Sequence, residues 1–160
     1  MSEVEVFGVK ASGEVELLDD VNNSWAGAMH VWNTLSKKYD MEGSLFGGFT
    51  QLWKSQGKGI LLPHEEHVLI TTFDNIIIQR KDIEEFLVSF RRYAEENPVS
   101  NLVEQAEIIE KELESGYIGF CWNQTTVSDC LWYGTYDEET EEEIPFNIYT
   151  SQGKELARML

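Results

Sequence analysis

Val4 and Val6 alternate with glutamates at the start of the chain, and Val15 and Leu17 alternate again beyond Ala11-Ser12-Gly13. A period of two puts one set of side chains on one face of a strand, so the pattern predicts strands at 3–9 and 14–18 joined as a hairpin. The period then lengthens. Trp25, Ala28, Met29, Trp32, Leu35 and Tyr39 recur at helical spacing and predict an amphipathic helix over 24–39. Asn22, Asn23 and Ser24 are available to cap its start, and Lys37 and Lys38 suit the negative end of its dipole. A short helix behind Ser44 is expected from Leu45, Phe46, Phe49, Leu52 and Trp53, weakened by Gly47 and Gly48, with a turn at 54–59.

From Val68 the pattern reads as β. Residues 68–73 and 76–79 flank Asp74-Asn75, a pair that tolerates positive φ, which predicts a second hairpin. The unbroken Ile76-Ile77-Ile78 implies a strand covered on both faces. Asp82 then offers a cap for a helix lined by Ile83, Phe86, Leu87, Phe90 and Ala94 and stopped at Asn97-Pro98. Asn101 opens another, with Leu102, Ala106, Ile109 and Leu113 inward, ending at Gly116. Strands are expected at 117–122, 131–136 and 144–150, Pro145 marking an edge or a strand start in the last, followed by a short helical turn. Together these elements predict an α+β single domain. Its antiparallel sheet should have five to seven strands, with three or four helices packed mainly on one face.

At 160 residues the chain is long enough to bury a core, and 42% of its residues are hydrophobic. No apolar run approaches the roughly 20 residues of a membrane span, and the acidic start is unlike a basic, then apolar, export signal. A cytoplasmic protein is expected. Ser-Gln-Gly-Lys occurs at 55–58 and again at 151–154, too short an echo to mark a repeat architecture.

Charge narrows the partners. With 12 basic and 29 acidic residues the net charge is −17. Phosphate backbones and anionic membranes are therefore disfavoured, whereas a basic protein would be steered inward. Two cysteines, Cys121 and Cys130, cannot make the framework of a small secreted domain; buried free thiols are expected, with a pair across a hairpin as the alternative.

Candidate chemistry is sparse. Pro63-His64-Glu65-Glu66-His67 holds two of the three histidines. On a helical turn His64 and His67 would share a face; on a strand they would diverge. The zinc-protease signature spaces its histidines four apart on a long helix, so this stretch reads first as a solvated rim before the hairpin. A metal-binding or hydrolase-type reading on His64, Glu66 and His67, with His30 as a further ligand, is the alternative. His64-Glu65-Glu66 also opens a nucleobase-deaminase pattern, but the paired thiolates that would hold its zinc are missing. Ser55…Lys58 and Ser151…Lys154 match S-x-x-K without the K-T-G strand of penicillin-recognising enzymes. Phosphate-cradling glycine loops of the common types are absent from the sequence.

Two surface features remain. Asp137, Glu138, Glu139, Glu141, Glu142 and Glu143 crowd seven positions, and their mutual repulsion requires solvent or a cationic partner. Trp122, Trp132, Tyr133 and Tyr136 lie nearby in sequence, either as core or, for the last three, as contact residues beside the acidic run. The expected function is that of a non-enzymatic acidic interaction domain docking a basic partner, in the manner of an immunity protein, an inhibitor or a nucleic-acid mimic. No cofactor is expected. A small-molecule site lined by Trp residues is the third alternative.

Overall fold

The computed structural model describes residues 3–23, 26–43, 48–124, 130–151 and 157–160. Its elements run β1 (Glu3–Val9), β2 (Val15–Asn22), α1 (Ala28–Lys38), α2 (Thr50–Ser55), α3 (Pro63–Ile70), β3 (Ile76–Gln79), α4 (Arg80–Glu96) and α5 (Leu102–Glu110). After α5 come β4 (Gly119–Asn123), a 3-10 turn at Leu131–Tyr133, β5 (Thr135–Asp137), β6 (Glu142–Ile144) and β7 (Arg158–Met159). Five strands form one sheet in the order β2-β1-β4-β3-β7, and β5 and β6 form a separate hairpin. The class is α+β, in one compact domain, as the hydrophobic pattern predicts.

The sheet is mixed, because β7 runs parallel to β3 while the other pairs are antiparallel. Alternation along each strand sorts the core into two layers. Val4, Val6, Ile76, Ile78, Phe120 and Trp122 face the helices and pack with Leu35, Leu69, Phe90 and Ile109 among others. Phe7, Val9, Ile77 and Cys121 face the other way, onto Trp132 and Phe146 from the segment after β4. Ile76, Ile77 and Ile78 are all buried, so the strand is indeed covered on both sides. The helices lie on one face; a non-helical strap covers the other.

Several local expectations are corrected. The predicted strand at 68–73 is the end of α3. Pro63 occupies a first-turn position, where its missing N–H costs nothing, and the Glu65 side chain accepts from the Leu62 N–H at 2.9 Å. Burial falls on His64, Glu65, Val68 and Leu69, a helical spacing. The Thr71 and Thr72 hydroxyls donate to Val68 O and Leu69 O, which turns the chain out of the helix. Asn75 does take positive φ, 64°, but it joins helix to strand, not strand to strand.

Caps also differ. Helix α1 begins at Gly27 with no side-chain cap; the Asn23 amide instead donates to Gln124 O, and Ser24 and Trp25 lie outside the described residues. Helix α2 starts behind Phe49, and Ser44 to Gly47 likewise lie outside. In α4 the cap position is Gln79, with Asp82 in the first turn, where its charge meets the positive dipole end. Asn101 does stand at the start of α5, yet its side chain is spent on Asn22 O and on Gln105.

The C-terminal third departs most. Leu131–Tyr133 form a 3-10 turn, the strand follows at Thr135–Asp137, and its partner ends at Ile144 before Pro145. Residues beyond Phe146 are stitched to the β1–β2 turn: Ile148 N donates to Gly13 O, and Asn147 Nδ2 to Ser12 O. The expected terminal helical turn is a strand at Arg158–Met159, with 152–156 outside the described residues.

Gly134 fixes how the β5–β6 hairpin leaves the strap. Its φ of +80° is unfavourable to other residues, and an added Cβ would lie 2.1 Å from Ile144 O and 2.8 Å from Phe146 N. Gly134→Ala is expected to lower stability by about 1–3 kcal/mol, read as a fall in urea midpoint at unchanged slope.

Candidate functional site

Helix α3 packs along α4, and both histidines of the 63–67 stretch point at that neighbour. The His64 Nε2 lies 3.1 Å from Glu96 Oε2, and His67 Nδ1 lies 2.7 Å from Ser89 Oγ. The His67 ring stacks on Phe86 at 4.3 Å between centroids. The expectation of a solvated rim is overturned, since His64 is 4% exposed and Glu65 1%. The eight-residue helix turns these two positions inward, which a strand entry would not have done.

Glu65 is the most buried carboxylate among the described residues, and its surroundings compensate it. Lys38 Nζ, on α1, stands 2.7 Å from Oε2, while the Tyr39 hydroxyl and the Leu62 N–H donate to Oε1. Burial pushes the carboxyl up, but these three donors outweigh it and hold it below the usual carboxylate range. The Lys38 ammonium is correspondingly pushed up by its bond to Glu65. The end of α1 and the start of α3 thus meet around one buried charge.

The set His64, Glu66 and His67 does not gather. Glu66 Oε2 accepts from the Gly57 N–H, and His67 is held on Ser89. His64 converges instead with Glu65 and Glu96, whose ligand atoms all lie within 4.8 Å of one another. Glu65 and Glu96 carry no sequence signal for this, because Glu96 sits 32 residues away at the end of α4. His30 is on α1, where burial pushes its imidazole down. The Ser89–His67 contact does not make a nucleophile, since Ser89 is buried in mid-helix. Ser55 Oγ donates to Leu52 O, and Ser151 Oγ accepts from Asn147 N, so both S-x-x-K serines have structural roles.

The opposite face of the sheet carries the acidic feature. Asp137 Oδ1 accepts from the N–H groups of Glu139 and Thr140, which closes the tip of the β5–β6 hairpin, and Glu141 takes a φ of 56° there. Tyr136 pairs across with Glu143, and Asp137 with Glu142. Glu138, Glu139, Glu141, Glu142 and Glu143 are exposed and Asp137 half-buried. Among the described residues none of the six has a salt-bridge partner.

The aromatic residues divide. Trp122 faces the helices, and Trp132 is buried on the other side, its indole N–H donating to Trp122 O and its ring edge-on to Phe146. Trp132 is therefore an anchor under the surface, not a contact residue on it. Tyr133 and Tyr136 are 56% and 58% exposed. Tyr133 donates to Glu5 Oε1 at 2.6 Å, and burial, with that bond, pushes its phenol up. The four described Trp residues divide between the two faces: Trp32 and Trp53 pack together at 5.2 Å on the helical side with Trp122, Trp132 is on the other, and Trp25 lies outside the described residues. Cys121 and Cys130 are free, the first buried and the second half-buried, and burial pushes both thiols up.

No helix among the described residues is long and apolar enough to cross a membrane. Compared with protein-family models, with curated proteins and with solved structures, the chain matches none.

Because the Glu65 carboxyl is held low in the folded chain, it adds stability above its ordinary value, lost as pH falls through the folded one. Glu65→Gln is expected to be about 1–3 kcal/mol less stable at neutral pH. The gap should narrow on acidification, as urea midpoints between neutral and acid pH would record.

Proposed function

We propose that the chain is a non-enzymatic acidic interaction domain, and that the β5–β6 hairpin with its flanking tyrosines docks a basic protein partner. The observation that carries this reading is how charge is divided. Residues 37–111, from the end of α1 through α5, hold nine of the 12 basic residues but only 13 of the 29 acidic ones. There the ion pairs neutralise much of the surface, as in Arg91–Glu110 at 2.8 Å and Arg80–Glu84 at 3.4 Å. Between Lys111 and Lys154 the sequence contains no Lys or Arg at all. The sheet's far side adds Glu5, bonded to Tyr133, and its cross-strand partner Asp20, from β1 and β2.

A partner rich in Arg and Lys gains twice from such a face. Long-range attraction speeds encounter, and desolvated contacts with Tyr133 and Tyr136 retain it once docked. The positive φ at Glu141 and the turn held by Asp137 present the carboxylates on a short, defined hairpin, so less order has to be gained on binding. Immunity proteins, inhibitors and nucleic-acid mimics all fit that chemistry.

The test compares two variants of equal charge. Reversing Glu138, Glu139, Glu141 and Glu142 to Lys should weaken capture of an immobilised Arg/Lys-rich protein at least about tenfold and flatten its salt dependence. Reversing the exposed Glu85, Glu95, Glu104 and Glu107 on the helical side should weaken it much less. Equal losses in the two would mean that net charge alone, and no particular face, governs binding.

A further inference from the structure

The His64, Glu65 and Glu96 cluster is more than an ion pair needs. Glu65 is fully compensated by Lys38, Tyr39 and Leu62, yet the chain buries an imidazole beside it and brings a second carboxylate onto that imidazole. Two buried polar groups there are left without partners. One is His64 Nδ1; the other is the Tyr93 hydroxyl, on a side chain with no exposed surface. Both Glu65 and Glu96 act on that hydroxyl, and Thr34 approaches it without meeting hydrogen-bond geometry. Buried polar groups in native proteins are seldom left so, and each such case calls for a reason.

We propose that the His64 imidazole and the carboxylates of Glu65 and Glu96 hold one divalent transition-metal ion, zinc before manganese, which takes the place of the Lys38 ammonium. The ligand set fits: one imidazole and two carboxylates are common zinc ligands, and two carboxylates balance a dication. A tetrahedral ion with ~2.1 Å bonds sets its ligands roughly 3.4 Å apart. The His64–Glu96 separation of 3.1 Å is already close to that, and the whole set lies within 4.8 Å.

The exchange is feasible because the two sides differ in burial. The Lys38 side chain is 44% exposed and can withdraw into water, and Arg92, 3.8 Å from Glu96, is more exposed still. Glu65 and His64 cannot. Three protein ligands leave a fourth position for water, and that water would give the Tyr93 hydroxyl the partner it lacks. The ion would tie α3 to the C-terminal end of α4, with α1 contributing the cation it displaces. This site is independent of the hairpin on the opposite face of the sheet.

The experiment is calorimetric titration of EDTA-treated protein with zinc chloride, at salt high enough to suppress loose cation binding by the acidic surface. Wild type should take up one ion per chain and melt at a higher temperature in its presence. Glu96→Gln, on an exposed helix end, should keep the fold and lose at least tenfold in affinity. Lys38→Met should bind more tightly than wild type, since the competing cation is gone, whereas a purely structural salt bridge predicts no gain. Neutralising the hairpin carboxylates should leave the titration unchanged. Absence of stoichiometric uptake, equal affinity in Glu96→Gln, no tightening in Lys38→Met, or loss with the hairpin variant would each overturn the assignment.

Discussion

The three inner strands of the sheet, β1, β4 and β3, have apolar side chains on both faces, and the architecture answers that one constraint. Every residue of Gly119–Asn123 is buried, and Ile76, Ile77 and Ile78 are buried in succession. The helices here cover only one side. The other is covered by Trp132 and Phe146, which carry no regular secondary structure strong enough to stand alone. Removing that cover would return Phe7, Val9, Ile77 and Cys121 to water, at about 25 cal/mol for each Å² of apolar surface exposed. The strap is therefore part of the core, and the acidic hairpin grows directly out of it.

The same division of layers separates the charges. On the helical side carboxylates alternate with cations at helical spacing or across helix pairs, as at Arg80–Glu84 and Arg91–Glu110. Such exposed pairs contribute little to stability individually, but they lower the net potential of that face. On the strap side the hairpin carboxylates have no salt-bridge partner among the described residues, so the field of Glu138 through Glu143 extends outward with little but salt to oppose it. Glu65 is the contrast within one molecule: a single carboxylate taken out of water, where every oxygen needs a donor and finds one.

Sequence pattern exposed much of this and concealed the rest for definable reasons. The β1–β2 hairpin and the apolar face of α4 were legible, because Val4 and Val6, or Ile83, Phe86, Leu87 and Phe90, repeat over enough residues to fix a period. Val68-Leu69-Ile70 misled, since a three-residue apolar run fits either period and β-branched residues favour the strand reading. Pro63 with Glu65 behind it was the better signal, and the helix obeys it. The β5–β6 hairpin was legible as an acidic turn, though not which flanking aromatics face solvent. Trp132 and Tyr133 are neighbours in the chain, and a single 3-10 turn sends one inward and the other out.

What the sequence determined alone was composition and local period: an α+β chain with surplus negative charge, a strand buried on both sides, and the positive φ at Asn75. What only the tertiary structure decided was which distant groups meet. Glu96 reaches His64 across 32 residues, Lys38 reaches Glu65 across 27, and β7 lies parallel to β3, because these follow from helix packing and sheet order, not from spacing along the chain. Local pattern fixes which way a side chain faces; only the packed layers fix what it faces.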